Sequence, residues 1–109
     1  MIYRRRGTAT MHDDFSFKIC EFERKLALDE IQAKLESWSE MPGNYTPLGD
    51  RGGRYTPESW GFPTVYFPTD GKTLEVVTKD CDLADVDDFL CNLAQLLECK
   101  ILTEHLEYS

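Results

Sequence analysis

Five aspartates, Asp80, Asp82, Asp85, Asp87 and Asp88, fall in one short stretch and form the densest set of potential metal ligands in the chain. A calcium loop of the EF-hand kind needs glycine at its sixth position and glutamate at its twelfth. Counted from Asp80, those positions hold Asp85 and Cys91, so the match fails and no metal is expected. Helix capping accounts for the same residues. Asp82 stands where an N-cap would accept backbone N–H groups, and Asp85, Asp87 and Asp88 follow where carboxylates complement the positive end of the helix dipole.

Cys81 precedes the same helix start, where a thiolate nucleophile would gain from the dipole, with His12 or His105 as the available bases. Asp80 and Asp82 flank it and oppose thiolate formation. No nucleophile, base and orienting group can be placed together, so no catalytic residue is assigned. The glycine-rich run Gly49-Asp50-Arg51-Gly52-Gly53-Arg54 follows no strand, opens no helix and lacks the spacing that cradles phosphates, so no nucleotide or other cofactor is expected. Arg51 and Arg54 remain as groups that could hold a carboxylate or phosphate, or pair with acidic residues of their own surface.

Those arginines sit in residues 41–63, a 23-residue stretch holding four of the five prolines, five of the seven glycines and only four charged residues. A structureless loop of that length is uncommon in a small domain and usually functional or disordered. It also carries Tyr45, Tyr55, Trp60 and Phe62. Arginine and large aromatics are the types enriched where interfaces concentrate their energy. The candidate partner- or ligand-binding residues are therefore Tyr45, Arg51, Arg54, Tyr55, Trp60 and Phe62, with the rings either folded over the sheet or turned to a partner.

The elements that must position them follow from periodicity. Phe15, Phe17 and Ile19 alternate with polar residues and predict a strand with those side chains on its buried face, ending or bulging near Glu21. Leu28, Ile31, Leu35 and Trp38 recur at helical spacing, and Pro42-Gly43 stops that helix. After the long loop, two β-prone runs flank Pro68-Thr69-Asp70-Gly71-Lys72, a hairpin turn by its Pro and Asp-Gly. Val86, Phe89, Leu90, Leu93, Leu96 and Leu97 mark a second helix, from whose apolar face Cys91 and Ala94 point away toward a second contact surface or solvent. Residues 101–108 read as a last strand. No internal repeat is apparent. The order β-α-β-β-α-β predicts an α+β fold of the ferredoxin-like, split βαβ kind, a four-stranded antiparallel sheet with two helices on one face.

Length and charge set the remaining bounds. With 109 residues and 41% hydrophobic content, residues 13–109 suffice for one domain, and residues 1–12, without hydrophobic periodicity, are expected to be disordered or non-native. The net charge is −8, and beyond residue 10 nine basic residues face twenty acidic ones, a net of −11. That surface repels phosphate backbones, which argues against direct nucleic-acid binding and favours a basic protein partner. No apolar run approaches a membrane span, and MIYRRRGTAT lacks the apolar core of a secretory signal, so the cytoplasm is the expected compartment. Cys20, Cys81, Cys91 and Cys99 have no zinc-ribbon or CxxC spacing and read as reduced thiols.

Two functions from different classes are consistent with these features. The first is a small acidic protein-binding module, of the inhibitor, immunity or phage-type antagonist kind, that engages a basic partner. The second is a small-ligand sensor or enzyme, dimeric through its sheets, with Trp60, Tyr66, His105 and Arg54 lining a pocket between the open sheet face and loop 41–63. Outward aromatic rings would favour the first, and inward ones around a cavity the second.

Overall fold

The computed structural model describes Tyr3–Arg5 in backbone outline and residues 17–109 apart from His105. In chain order the elements are β1 (Tyr3–Arg5), β2 (Phe17–Phe22), α1 (Leu28–Glu36), β3 (Gly43–Pro47), β4 (Gly53–Pro57), β5 (Thr64–Phe67), β6 (Thr73–Val77), α2 (Leu83–Leu97), β7 (Ile101–Leu102) and β8 (Leu106–Tyr108). They form an α+β fold with one antiparallel sheet in the order β1-β8-β7-β2-β6-β5-β4-β3. Seven of the strands lie between Phe17 and Tyr108, and β1 pairs with β8 at one edge. The other residues before Phe17, with His12 and Phe15 among them, lie outside the described residues.

The four-stranded, ferredoxin-like sheet expected from element order is overturned by this count of strands. Two segments account for the difference. The C-terminal run breaks into β7 and β8, because the Thr103 N–H donates to Leu106 O and the Leu106 N–H to Thr103 Oγ1, each at 2.8 Å, which turns the chain back on itself. The larger difference lies in residues 41–63, where β3 and β4 form a hairpin at the far edge of the sheet. From the central β2 the chain crosses by α1 to that edge and returns through β4, β5 and β6.

The hairpin carries a short internal repeat, where none was expected from the sequence. Residues 43–47 read Gly-Asn-Tyr-Thr-Pro and residues 53–57 read Gly-Arg-Tyr-Thr-Pro. The two copies pair with each other, Tyr45 opposite Tyr55, Gly43 opposite Pro57 and Pro47 opposite Gly53. Each proline ends its strand, where a missing N–H does least harm. Each glycine lies under the ring of the other copy: a Cβ on Gly43 would stand 2.9 Å from Tyr55 Cζ, and one on Gly53 would meet the Tyr45 ring, 2.8 Å from its Cε2. The rings cover backbone that glycine leaves bare, a device that stabilises glycine-containing strands.

Gly52, between the two copies, has φ 93°, and a Cβ there would run into the Phe67 carbonyl of the neighbouring strand, 2.9 Å from its carbon. Gly49 has φ 64° with nothing near its Cβ position. Gly52→Ala is therefore expected to destabilise the fold by about 2 kcal/mol or more, backbone strain alone being worth about 1–3 kcal/mol. Gly49→Ala should cost only about 1–2 kcal/mol, the left-handed penalty. Urea unfolding of the two variants, followed by circular dichroism, checks the difference, and equal midpoints would contradict the close approach.

The turn between β5 and β6 forms as expected. Gly71 takes φ 70°, and the Asp70 carboxylate accepts the Lys72 N–H at 2.8 Å, the Thr73 N–H at 2.9 Å and the Thr73 hydroxyl at 2.6 Å. Hydrogen bonding to Thr73 and Lys72 holds its carboxyl below the usual range. In β2 the phase is the reverse of the expected one: Cys20 and Phe22 are buried, whereas Phe17 and Ile19 are 54% and 51% exposed. Phe22 decides it, since its ring stacks on Phe67 with centroids 6.4 Å apart.

Strand alternation puts Phe22, Tyr55, Val65, Phe67, Leu74, Val76 and Ile101 on one face, in one core with Ile31, Leu35, Trp38 and the buried side of α2. Among the described residues no helix covers the sheet's other face. Cys91 and Ala94 are also buried, so the outward second surface expected for α2 does not exist. The reason is β8, whose Tyr108 hydroxyl donates to Asp87 Oδ1 at 2.7 Å, one helical turn before Cys91. Asp82 occupies the N-cap of α2 but its side chain makes no capping hydrogen bond, so that expected role is not filled.

Candidate functional site

The six residues singled out in loop 41–63 do not converge on one place. Tyr55 is fully buried, its ring 5.8 Å from that of Trp38 and its hydroxyl donating to Met41 O at 2.5 Å. Tyr45 is half-buried against Phe67, at 6.5 Å, and Phe62 is half-buried against Phe89, at 6.3 Å. These three rings belong to the helix-covered side. Arg54, on β4, lies on the open face, and Arg51 is exposed in the turn before it. Trp60 is 93% exposed.

Local structure explains why Trp60 projects. The Glu58 N–H donates to Pro42 O at 2.9 Å, closing the end of the hairpin, while Phe62 is anchored on Phe89 of α2. Between these fixed points Gly61 adopts φ 97°, a bend that turns Trp60 away from the core. Trp60 borders a shallow hollow of about 350 Å³ with Glu58, Phe62, Lys79, Asp80 and Cys81. The surroundings are acidic. Asp85 Oδ2 lies 3.7 Å from where a Gly61 Cβ would stand, and burial followed by Asp80, Asp85 and Asp82 pushes the Cys81 thiol up.

An exposed tryptophan among carboxylates can take a cationic side chain: the ring face attracts the charge, and the acids accept its N–H groups. The same carboxylates disfavour thiolate chemistry at Cys81. Among the described residues no group of three or more His, Cys, Asp or Glu is placed to hold a metal ion. Nor is any described helix long and apolar enough to cross a membrane.

Two further hollows lie on the open face. One, of about 390 Å³, is lined by Leu48, Arg51, Arg54, Tyr66, Pro68 and Glu75, and the other, of about 330 Å³, by Phe17, Tyr66, Glu75, Val77 and Lys79. Arg54 and Tyr66 thus share a hollow that Trp60 does not enter. His105, the fourth residue of the expected pocket, lies outside the described residues. Phe17 and Ile19, expected on the buried face of their strand, are surface residues instead. Their alternation was visible, but Cys20 and Phe22 compete in the opposite phase.

The buried hydroxyl and thiol groups set a pH dependence. Burial pushes Cys20 and Tyr55 up to about 12 and Cys91 to about 11, and burial with the Asp87 hydrogen bond raises Tyr108 further. In the unfolded chain these groups ionise from their ordinary values of 9.0 for cysteine and 10.0 for tyrosine. Between those values and the raised ones the folded state holds more protons, so stability is fully present below about pH 9 and falls as pH rises. Urea midpoints measured from neutral to strongly alkaline pH should be flat at first and then decline. A midpoint unchanged up to about pH 11 would contradict the burial of these groups.

No protein-family model, no curated protein and no solved structure matches the chain, so the case for a function rests on the geometry just described.

Proposed function

We propose that the chain is a small acidic binding module of the cytoplasm that engages a basic protein partner, in the manner of an inhibitor or immunity protein, with Trp60 at the centre of the contact. The observation that carries this reading is the 93% exposure of Trp60 beside Glu58, Phe62 and Asp80. Water gains nothing from an indole held out in this way, and Phe62 and Gly61 hold it there. A lysine or arginine over the ring would gain about 0.5–2 kcal/mol, more as water is excluded. The net charge of −8 would speed encounter with a cationic target and slow encounter with an anionic one.

The sensor or enzyme reading has less support, because Arg54 and Tyr66 on the open face and Trp60 beside α2 do not surround a common cavity. Capture experiments with the immobilised chain and with its Trp60→Ala variant test the binding reading. The wild-type chain should retain proteins of high isoelectric point that are released by raised salt and not retained by the variant. Retention of the same proteins by both chains, or of acidic proteins only, would sink the proposal.

A further inference from the structure

We propose that the open face of the sheet is an interface between two copies of this chain, packed sheet against sheet. This goes beyond the binding reading above and uses a different surface. The register places Ile19, Glu75, Tyr66, Arg54 and Thr46 side by side in one row across β2, β6, β5, β4 and β3. Phe17, Val77 and Thr64 form the row beside it. Phe17 and Ile19 are among the three most exposed large apolar side chains of the described residues, at 54% and 51%. Two such residues at i and i+2 on one strand make a continuous apolar patch rather than scattered exposure.

The charges on this face identify its occupant. Glu21 and Glu75 stand on β2 and β6, whereas Arg54 stands on β4 and Arg51 in the turn beyond it. Among the described residues none of these four makes an ion pair, although the chain has 20 acidic residues. Glu21 and Glu75 therefore lie toward one side of the face and Arg51 and Arg54 toward the other, with Tyr66 between them and with Phe17, Ile19 and Lys79 on the acidic side. A two-fold axis between facing sheets and parallel to the strands exchanges the two sides, so each copy's arginines come over the other's glutamates. A partner of a single charge sign would meet like charges on half of this surface. A second copy of the chain satisfies both halves through an isologous contact.

Two copies of net −8 repel one another at long range. That repulsion is screened beyond about 8 Å at physiological salt, whereas facing sheets lie about 10 Å apart with their side chains interdigitated in direct contact. Five strands about 24 Å wide and about 17 Å long present about 400 Å² per copy, below the roughly 800 Å² per partner of a standard interface, so the dimer should be weak and depend on concentration.

Sedimentation equilibrium on the full chain tests this. The wild type should show a concentration-dependent monomer–dimer equilibrium. Ile19→Glu, at a half-exposed position, should weaken it at least about 10-fold, each 1.4 kcal/mol of lost contact being a factor of ten. The base-inverted variant Arg51→Glu/Arg54→Glu and the acid-inverted variant Glu21→Arg/Glu75→Arg should each dissociate alone and associate when mixed. Circular dichroism confirms that each variant is folded. A wild type that stays monomeric at every concentration overturns the proposal, as does a dimer indifferent to Ile19→Glu or a mixture that fails to associate. Trp60→Ala should leave the dimer intact, so loss of partner capture and loss of self-association are separate outcomes.

Discussion

Replacing Trp38 by alanine is expected to remove about 3–5 kcal/mol of stability, the range for deleting a buried aromatic side chain from a core. Trp38 follows α1 and is only 4% exposed, with its ring 5.8 Å from Tyr55 of β4 and 5.5 Å from Phe89 of α2. It joins the crossover helix, the hairpin and the second helix at one point. Alanine would leave a cavity that three separate elements would have to shift to fill, and dense cores relax only partly. A domain of this size has about 5–15 kcal/mol in total, so the variant should be largely unfolded well below the wild-type melting temperature. Urea unfolding followed by far-ultraviolet circular dichroism measures the loss. A change below about 1 kcal/mol would mean that the three elements do not meet on this ring.

Trp60→Ala should do the opposite. An indole that is 93% exposed contributes little packing, so stability should stay within about 0.5 kcal/mol of wild type. Partner affinity should fall about 30-fold or more, because truncating a central interface tryptophan typically costs about 2 kcal/mol or more. Intrinsic fluorescence reports the event directly. Trp38 is already dry, so a blue shift on adding the partner comes from Trp60 and should vanish in Trp60→Phe, which removes the indole and keeps a ring. A Trp60→Ala chain that binds the captured partner with wild-type affinity would show that the contact lies elsewhere.

Local chemistry was enough for the turn between β5 and β6. Asp70 and Gly71 close it with a backbone angle and with bonds to Pro68, Lys72 and Thr73, all within six consecutive residues. Both helices were also legible from the spacing of their apolar residues, although α1 ends at Glu36, before Trp38 and well short of the stop expected at Pro42-Gly43. The hairpin β3–β4 is not legible from periodicity, since glycine and proline at each end of its strands mask the β signal. The duplicated Gly-x-Tyr-Thr-Pro carried that signal instead, and it becomes meaningful once one copy is laid antiparallel on the other.

The aromatic rings of residues 41–63 show where sequence stops. Composition alone established that the stretch is aromatic and poor in charge in an otherwise acidic chain. It could not tell Tyr55 from Trp60, since both are large rings within two residues of a glycine. Tertiary structure separates them: strand pairing points Tyr55 into the core opposite Tyr45, while Gly61 and the Phe62–Phe89 contact turn Trp60 outward. The same holds for β2, where two apolar sets of opposite phase compete. Only the position of Phe67 on another strand decides that Phe22 goes in and Ile19 stays out. Periodicity and turn chemistry are properties of neighbouring residues and can be read from the chain, but the direction in which a side chain points depends on elements tens of residues away.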